Sequence, residues 1–308
     1  MPNEPDAPSE PDAMRPEAGA MTVDVEDYFQ VEAFASVIDR RDWDHLPPRI
    51  ERNTHRLLDI LADAEVQATF FTLGCVARRN PSVVHRIVAD GHELASHGAD
   101  HRRVDRQSPA AFRADISDSK KILEDIGGVT VNGYRAPTFS IGGDTAWAHA
   151  VLEEEGYRYS SSVYPVKHDL YGSPDAPRCP FAPVPGLVEI PLTTVRLLGR
   201  DIPASGGGYF RLFPYALTRW LLSRAQRHSA LPIFYLHPWE IDPDQPRQRQ
   251  APLRSRVRHY LNLGRTEPRL YRLLRHFNWT RMDRLFLTDP SASYPLIPAW
   301  TETRSPSP

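Results

Sequence analysis

Asn80-Pro81-Ser-Val-Val-His-Arg-Ile-Val-Ala-Asp90-Gly91-His92-Glu93-Leu94-Ala95-Ser96-His97-Gly98-Ala99-Asp100-His101 reads as a helix, a stop and a strand that delivers a pair of imidazoles. Asn80 and Pro81 supply a cap and a first-turn proline, and Gly91 ends the helix. The short apolar run Glu93-Leu94-Ala95 then reads as a strand, with His97 just beyond it. His97 and His101 stand four residues apart, and neutral imidazole nitrogens so placed can supply two ligands of a divalent metal. Among 12 histidines in 308 residues, roughly half of one such pair is expected by chance, so the pair gains weight only from its company.

The same rhythm runs along the chain. Met21 to Val25 predicts a first strand that runs into the acidic cluster Asp24-Val25-Glu26-Asp27. Ile50 to Ala64 carries apolar residues at helical period, and Gln67 to Leu73 is rich in β-formers. Ser108-Pro109 starts another helix, with Phe112, Ile116, Leu123 and Ile126 on one face and Gly127-Gly128 as its stop. Thr130 to Tyr134 predicts a strand ending at Arg135. A helix over Asp144 to Glu155, strands near Arg158–Ser161 and Val188–Ile190, a helix over Pro214–His228 and a buried strand over Pro232–Leu236 follow, the last ending at His237. Repeated strand-then-helix units predict a parallel sheet, and at this number of strands a closed or nearly closed α/β barrel. The polar residues all fall at strand C-termini, where the loops of such a barrel converge.

Composition narrows the function. A net charge of -2 and a pI near 6.6 provide no basic field for nucleic acid. The arginines from Arg247 to Arg284 alternate with Leu, Tyr and Phe at helical spacing, which reads as a solvated helix face. Cys75 and Cys179 allow at most one disulfide and read as free thiols in or near the core. There is no basic-then-apolar leader and no 18-residue apolar run, so the expectation is a soluble, cytoplasmic protein without a transmembrane segment. Residues 1–20 and Thr301 to Pro308 are too polar and proline-rich to pack. Pro165 to Pro185 reads as a surface excursion, and Gly206-Gly207-Gly208 as a flexible loop on the substrate side.

Two imidazoles and a carboxylate form a three-ligand site with an open position for water, the arrangement of hydrolytic zinc enzymes. His97 and His101 are the candidate ligands, Glu26 or Asp27 the acidic one, Asp24 the general base and His237 the general acid. Tyr134 and Phe139 flank the Arg135-Ala136-Pro137 turn and can stack on a sugar. Trp239 and Glu240 are placed to orient the His237 ring.

The order of acidic motif, His-x-x-x-His, Arg-x-Pro and Leu-His resembles the polysaccharide deacetylases with a NodB-homology domain. The phrases Thr22-Val-Asp-Val-Glu-Asp-Tyr-Phe29, Gly206-Gly-Gly-Tyr-Phe-Arg211 and Tyr235-Leu-His-Pro-Trp-Glu240, with the basic C-terminal segment, resemble the subgroup encoded beside exosortase and exopolysaccharide loci. The resemblance spans residues 21–290, including a basic helical segment at about 245–290, with tails at 1–20 and 291–308. It implies a deformed (β/α) barrel of about seven parallel strands and metal-dependent deacetylation of N-acetylated sugars, with Zn2+ as the metal and an N-acetylated glycan as the partner. It casts Asp24 as base, His237 as acid and Arg135 as the group that orients the base. Tyr134, Pro137, Phe139 and Trp239 are the expected substrate contacts.

Two positions depart from the family pattern. The wider family has adjacent carboxylates, base then ligand, whereas Val25 separates Asp24 from Glu26 here. Asp24 and Glu26 share a strand face, which favours Glu26 as ligand with Asp27 in reserve. Ser160 stands where relatives carry an Asp that pairs with the equivalent of Arg135; Glu189 and Asp169 are the candidate substitutes. Rival readings are a C–N hydrolase acting on a small amide and a disabled barrel that binds carbohydrate. The oligomeric state is open.

Overall fold

The computed structural model describes residues 18–169, 171–227, 231–289 and 292–298. The sequence expectations for residues 1–17 and 299–308 lie outside the described residues. The strands, in chain order, are β1 (Gly19–Val25), β2 (Thr69–Thr72), β3 (Glu93–Ser96), β4 (Gly133–Tyr134), β5 (Tyr159–Ser160), β6 (Phe181–Val184), β7 (Leu187–Glu189), β8 (Thr194–Leu197), β9 (Arg200–Pro203), β10 (Ile233–Leu236) and β11 (Trp279–Thr280). The order β10-β1-β2-β3-β4-β5-β7 is parallel throughout, which makes seven parallel strands, and β6 adds an antiparallel edge. The fold is the deformed α/β barrel expected. Its two edges are not laddered together among the described residues; instead the Thr193 hydroxyl, just past β7, exchanges hydrogen bonds with the backbone of Ile233 on β10.

Among the described residues, ten α-helices accompany the sheet: α1 (Ile50–Asp63), α2 (Gly74–Arg79), α3 (Pro81–Ala89), α4 (Pro109–Gly127), α5 (Ala148–Glu154), α6 (Gly207–Leu212), α7 (Tyr215–Arg227), α8 (Leu253–Tyr260), α9 (Thr266–His276) and α10 (Met282–Phe286). The strands are buried on both faces, as parallel sheets covered by helices are, and the two-residue alternation sorts their side chains into two cores. Met21, Val23, Val25, Phe70, Leu94 and Leu236 pack outward against Leu57, Ile60, Val84 and Ile87 of α1 and α3. Ala20, Phe71, Ala95, Tyr159, Ile233 and Tyr235 fill the barrel interior. Each fully buried Leu, Ile or Phe contributes roughly 1.5–3 kcal/mol.

Local chemistry sets the boundaries. Ser108 caps α4 by accepting the Ala111 N–H, and Gly128, at φ 64°, closes it. Asn80 does not cap α3; its side-chain amide turns back to the Val76 carbonyl, leaving Pro81 to start the helix. The strand expected over Thr130–Tyr134 shrinks to β4 because the Val131 N–H goes to the Glu124 carboxylate rather than to a ladder. The helix expected from Asp144 begins at Ala148, since the Thr145 hydroxyl accepts the Gly142 N–H and tightens the preceding residues into a 3-10 turn.

Three other expectations are corrected. Gly19 and Ala20, assigned to a loose tail, begin β1 and are buried. The segment after 291 is not wholly loose, because Ala182 on β6 bonds to Pro295 and Ile297. Cys179 is exposed rather than near the core, while Cys75 is partly buried, its thiol pushed up to about 12 chiefly by burial.

Candidate active site

Four strand ends converge. Asp24 and Glu26 close β1, His97 follows β3, Arg135 follows β4 and His237 follows β10. Asp24, Glu26, His97, His101, His237, Trp239 and Phe139 line one cleft of about 150 Å³ at this end of the barrel. His101 reaches it because Gly98 and His101 both take left-handed backbone, at φ 80° and 56°, which folds the Ser96–His101 loop back over the sheet. Gly98 is required there, since a Cβ would meet the Asp115 carboxylate at 2.9 Å.

Glu26, His97 and His101 each direct one ligand atom into a common space, all within 4.8 Å of one another. The His97 Nδ1–H donates to the Arg135 carbonyl at 2.8 Å, which leaves Nε2 free with its lone pair, the tautomer a metal requires. His101 Nε2 lies 2.6 Å from Glu26 Oε2. The contact lacks hydrogen-bond alignment, and Oε2 is buried without a hydrogen-bond partner. Donors that crowd together without bonding one another fit a shared divalent ion. Burial pushes the Glu26 carboxyl up, but the fields of His101 and His237 outweigh it and hold the group near 2; burial pushes His97 down to about 4. Both shifts favour the states a metal binds, carboxylate and neutral imidazole. Asp27, the reserve ligand, is turned away: its carboxylate accepts the N–H groups of Tyr28, Arg49 and Ile50, and so caps the start of α1.

Asp24 is held from one side. Arg135 Nη1 lies 2.6 Å from Asp24 Oδ1 and also donates to Thr22; its other nitrogens donate to the Ser161 carbonyl and hydroxyl, and its plane lies over the Phe71 ring. Ser160 plays no part in this clamp, because its hydroxyl donates to Ser162. Neither proposed substitute reaches Arg135. Glu189 accepts the Ser162 and Val163 N–H groups and faces His149, so it fixes the loop that holds Arg135. Asp169 pairs instead with Arg254 and Arg258.

His237 joins the same cluster, its Nε2 3.2 Å from Glu26 and 4.0 Å from Asp24. Its ring stacks on Trp239, which stacks on His259 at 4.0 Å. Glu240 approaches Nδ1 at 3.5 Å and is itself paired with the buried Arg211. Burial pushes His237 down, but Glu26, Glu240 and Asp24 outweigh it and raise the group to about 9, which keeps a donor protonated at neutral pH. Because the folded value lies above the ordinary 6.5, this charge stabilises the metal-free protein fully below pH 6.5 and its contribution is lost as pH rises through about 9. In chelator-treated protein, the stability difference between wild type and His237→Gln is therefore expected to be greatest near pH 6 and to shrink toward pH 10, as followed by denaturant unfolding across that range.

Some predicted contacts lie elsewhere. Tyr134 is fully buried among Phe112 and Tyr157, outside the cleft, because inward and outward positions alternate along β4. Pro137 is also buried and does not line the cleft; Thr138, forced to φ 56°, takes its place beside Phe139. Of the three glycines expected as a flexible substrate-side loop, Gly208 does line the cleft, but Gly207 and Gly208 begin α6 and Gly206 and Gly207 are tightly packed. A Cβ on Gly206 would meet the Tyr235 ring at 2.5 Å, and one on Gly207 would meet Glu240 at 1.4 Å. Arg211, which ends the Gly206–Arg211 phrase but was given no role there, also lines the cleft, as do His259, Tyr171 and Arg258, which lie far apart in sequence and belong to no spaced motif.

Residues 42–160 match the model of the polysaccharide deacetylase family, and residues 161–287 match a domain of unknown function, DUF3473. Residues 42–160 are therefore similar to the polysaccharide deacetylases. The first match takes in His97, His101 and Arg135, the second takes in His237, and Asp24 and Glu26 precede both. The chain is 35% identical over 71 residues to a peptidoglycan-N-acetylglucosamine deacetylase of Bacillus cereus, covering 23% of this chain and 33% of that protein. It is 42% identical over 69 residues to a chitooligosaccharide deacetylase of Sinorhizobium fredii, covering 20% and 32%. The chain thus spans about a third of the length of these curated relatives. A crystal structure from Mycobacterium smegmatis, of a protein assigned to the polysaccharide deacetylases, superposes with a TM-score of 0.57 at 20% identity, over 92% of this chain and 93% of that one. That likeness establishes the shared fold.

Proposed function

We propose that the protein is a metal-dependent hydrolase that removes the acetyl group from N-acetylhexosamine units of a glycan or glycan precursor, in the exopolysaccharide setting to which its sequence resemblance points. The observation that supports this reading is the meeting of Glu26, His97 and His101, with His237 Nε2 3.2 Å from Glu26 and 4.0 Å from Asp24. Two imidazoles and one carboxylate suit Zn2+ in a tetrahedral site with one position open. Bound there, the ion would polarise the amide carbonyl and acidify water. Asp24, with one oxygen held by Arg135, takes the proton of the attacking water. His237, protonated and kept in plane by Trp239 and Glu240, delivers a proton to the departing amine. Phe139 and Trp239 provide apolar surface for the sugar ring. The residues from β1 to α10 act as one catalytic unit, because β10 and β11 of the C-terminal part both pair with β1. Among the described residues, no helix is long and apolar enough to cross a membrane.

Asp24→Asn separates base from ligand. It is expected to keep the metal and lose on the order of a hundredfold to ten-thousandfold in kcat, as removal of a general base does, whereas Glu26→Gln is expected to weaken metal binding. Metal content and acetate release measured on both variants check this. Loss of metal from Asp24→Asn with retention in Glu26→Gln would exchange the two roles.

A further inference from the structure

A second, larger cavity of about 1030 Å³ adjoins the catalytic cleft, between α6, α8, residues 167–169 and Tyr171. The two share Tyr171, Gly208, Tyr235 and Arg258, so they are immediate neighbours. The walls of the larger part are Tyr209, Leu212, Leu253, Val257 and Leu261. Leu212, Leu253 and Val257 expose 55%, 70% and 55% of their surface, an uncommon concentration of aliphatic surface in water. Leu253 and Val257 lie one turn apart on α8, which places them on one face. Sugars are held by aromatic platforms and hydrogen-bonding groups, and aliphatic walls offer them little; a hydrocarbon chain is what such walls hold.

The rim of the cavity carries a positive excess. Lys167, Arg254 and Arg258 stand against the single carboxylate of Asp169, which Arg254 and Arg258 both contact at 3.1 Å. Arg258 sits at the junction of the two spaces, where a group linking sugar to chain would pass, and guanidinium is the side chain best suited to phosphate. We propose that this cavity holds the hydrocarbon chain of an amphiphilic glycan substrate, with its phosphate or diphosphate at Arg254 and Arg258 and its N-acetylated sugar in the catalytic cleft. The proposal names the substrate class of the hydrolase reading and rests on it.

The test uses N-acetylglucosamine joined through a diphosphate to farnesol, and N-acetylchitotetraose as a water-soluble comparison. Calorimetric binding is measured alongside acetate release. Wild type is expected to bind the farnesyl probe at least tenfold tighter than the tetraose. The double variant Leu253→Ser, Val257→Ser, altered only at exposed positions, is expected to lose that advantage and to bind and deacetylate the tetraose as wild type does. Arg254→Gln is expected to weaken the diphosphate probe but not its uncharged farnesyl glycoside counterpart. Equal affinity of wild type and double variant for the probe would overturn the proposal. So would tighter capture by phosphatidylglycerol vesicles than by the monomeric probe, or a dimer that the double variant dissolves, since these make the surface a membrane or subunit face. Probe binding lost in the double variant, with no acetate from either compound, would leave the cavity assigned and remove the deacetylase reading. Acetate from the tetraose with no probe binding would do the reverse.

Discussion

His97→Ala and His101→Ala are each expected to release the bound divalent ion and reduce acetate production to background while leaving the fold intact. Three protein atoms hold the proposed ion, and two cannot retain it at ordinary concentrations. The loss has a second component. Glu26 is buried, and its ionised state depends on the positive field of its neighbours, so removal of His101 leaves the carboxylate with less compensation. The fold persists because the outer core packs the sheet against α1, α3 and α4 without using any of these residues. Metal analysis, circular dichroism and acetate assay on the same preparations check the claim. Full metal occupancy in either variant would contradict the ligand assignment.

Arg135→Met is expected to cost stability on the order of 3–5 kcal/mol and most of the activity. Arg135 has no exposed surface, and its partner Asp24 is buried with it. Removing one member of such a pair leaves the other charge uncompensated in a region of low dielectric constant. The Thr22 and Ser161 hydroxyls and the Ser161 carbonyl lose a partner in the same step. The double variant Asp24→Asn, Arg135→Met is expected to recover part of the stability and none of the activity, because the buried charge is gone but so is the base. Denaturant unfolding of the four proteins gives the coupling directly. A cost below about 1 kcal/mol for Arg135→Met would mean that the pair is not what fixes Asp24.

The parallel sheet was legible because its strands punctuate cleanly. Pro81, Gly91, Pro109 and Gly128 mark where helices begin and end, and β1, β3, β4 and β10 each deliver a polar residue of the cleft or its support at their C-terminal ends. The ligand cluster was legible for the same reason: His97 and His101 are neighbours in sequence, and Asp24 and Glu26 fall on one face of one strand. Groups that act through tertiary contact were not. Which side of β4 Tyr134 faces depends on register, and a two-residue strand carries no periodicity to read. Ser160 drew attention by its place after an aromatic, yet its neighbour Ser161 meets Arg135, a difference of one residue that only the backbone path of the loop decides. The triple glycine looked flexible because glycine permits flexibility; here Gly206 and Gly207 permit close approach of Tyr235 and Glu240. Arg211 stood in a quoted phrase but its pairing with Glu240 is a tertiary contact, and His259, from a segment with no motif of its own, stacks only once α8 has folded against the barrel.

The most direct test of the account is to titrate metal-free protein with Zn2+ while measuring acetate release from an N-acetylated chitooligosaccharide. The account predicts that no acetate forms without metal, that the rate rises in proportion to bound ion and levels at one ion per chain, and that each acetate released is matched by one new free amine. Protein carrying one ion per chain that binds the oligosaccharide but releases neither acetate nor amine would contradict it.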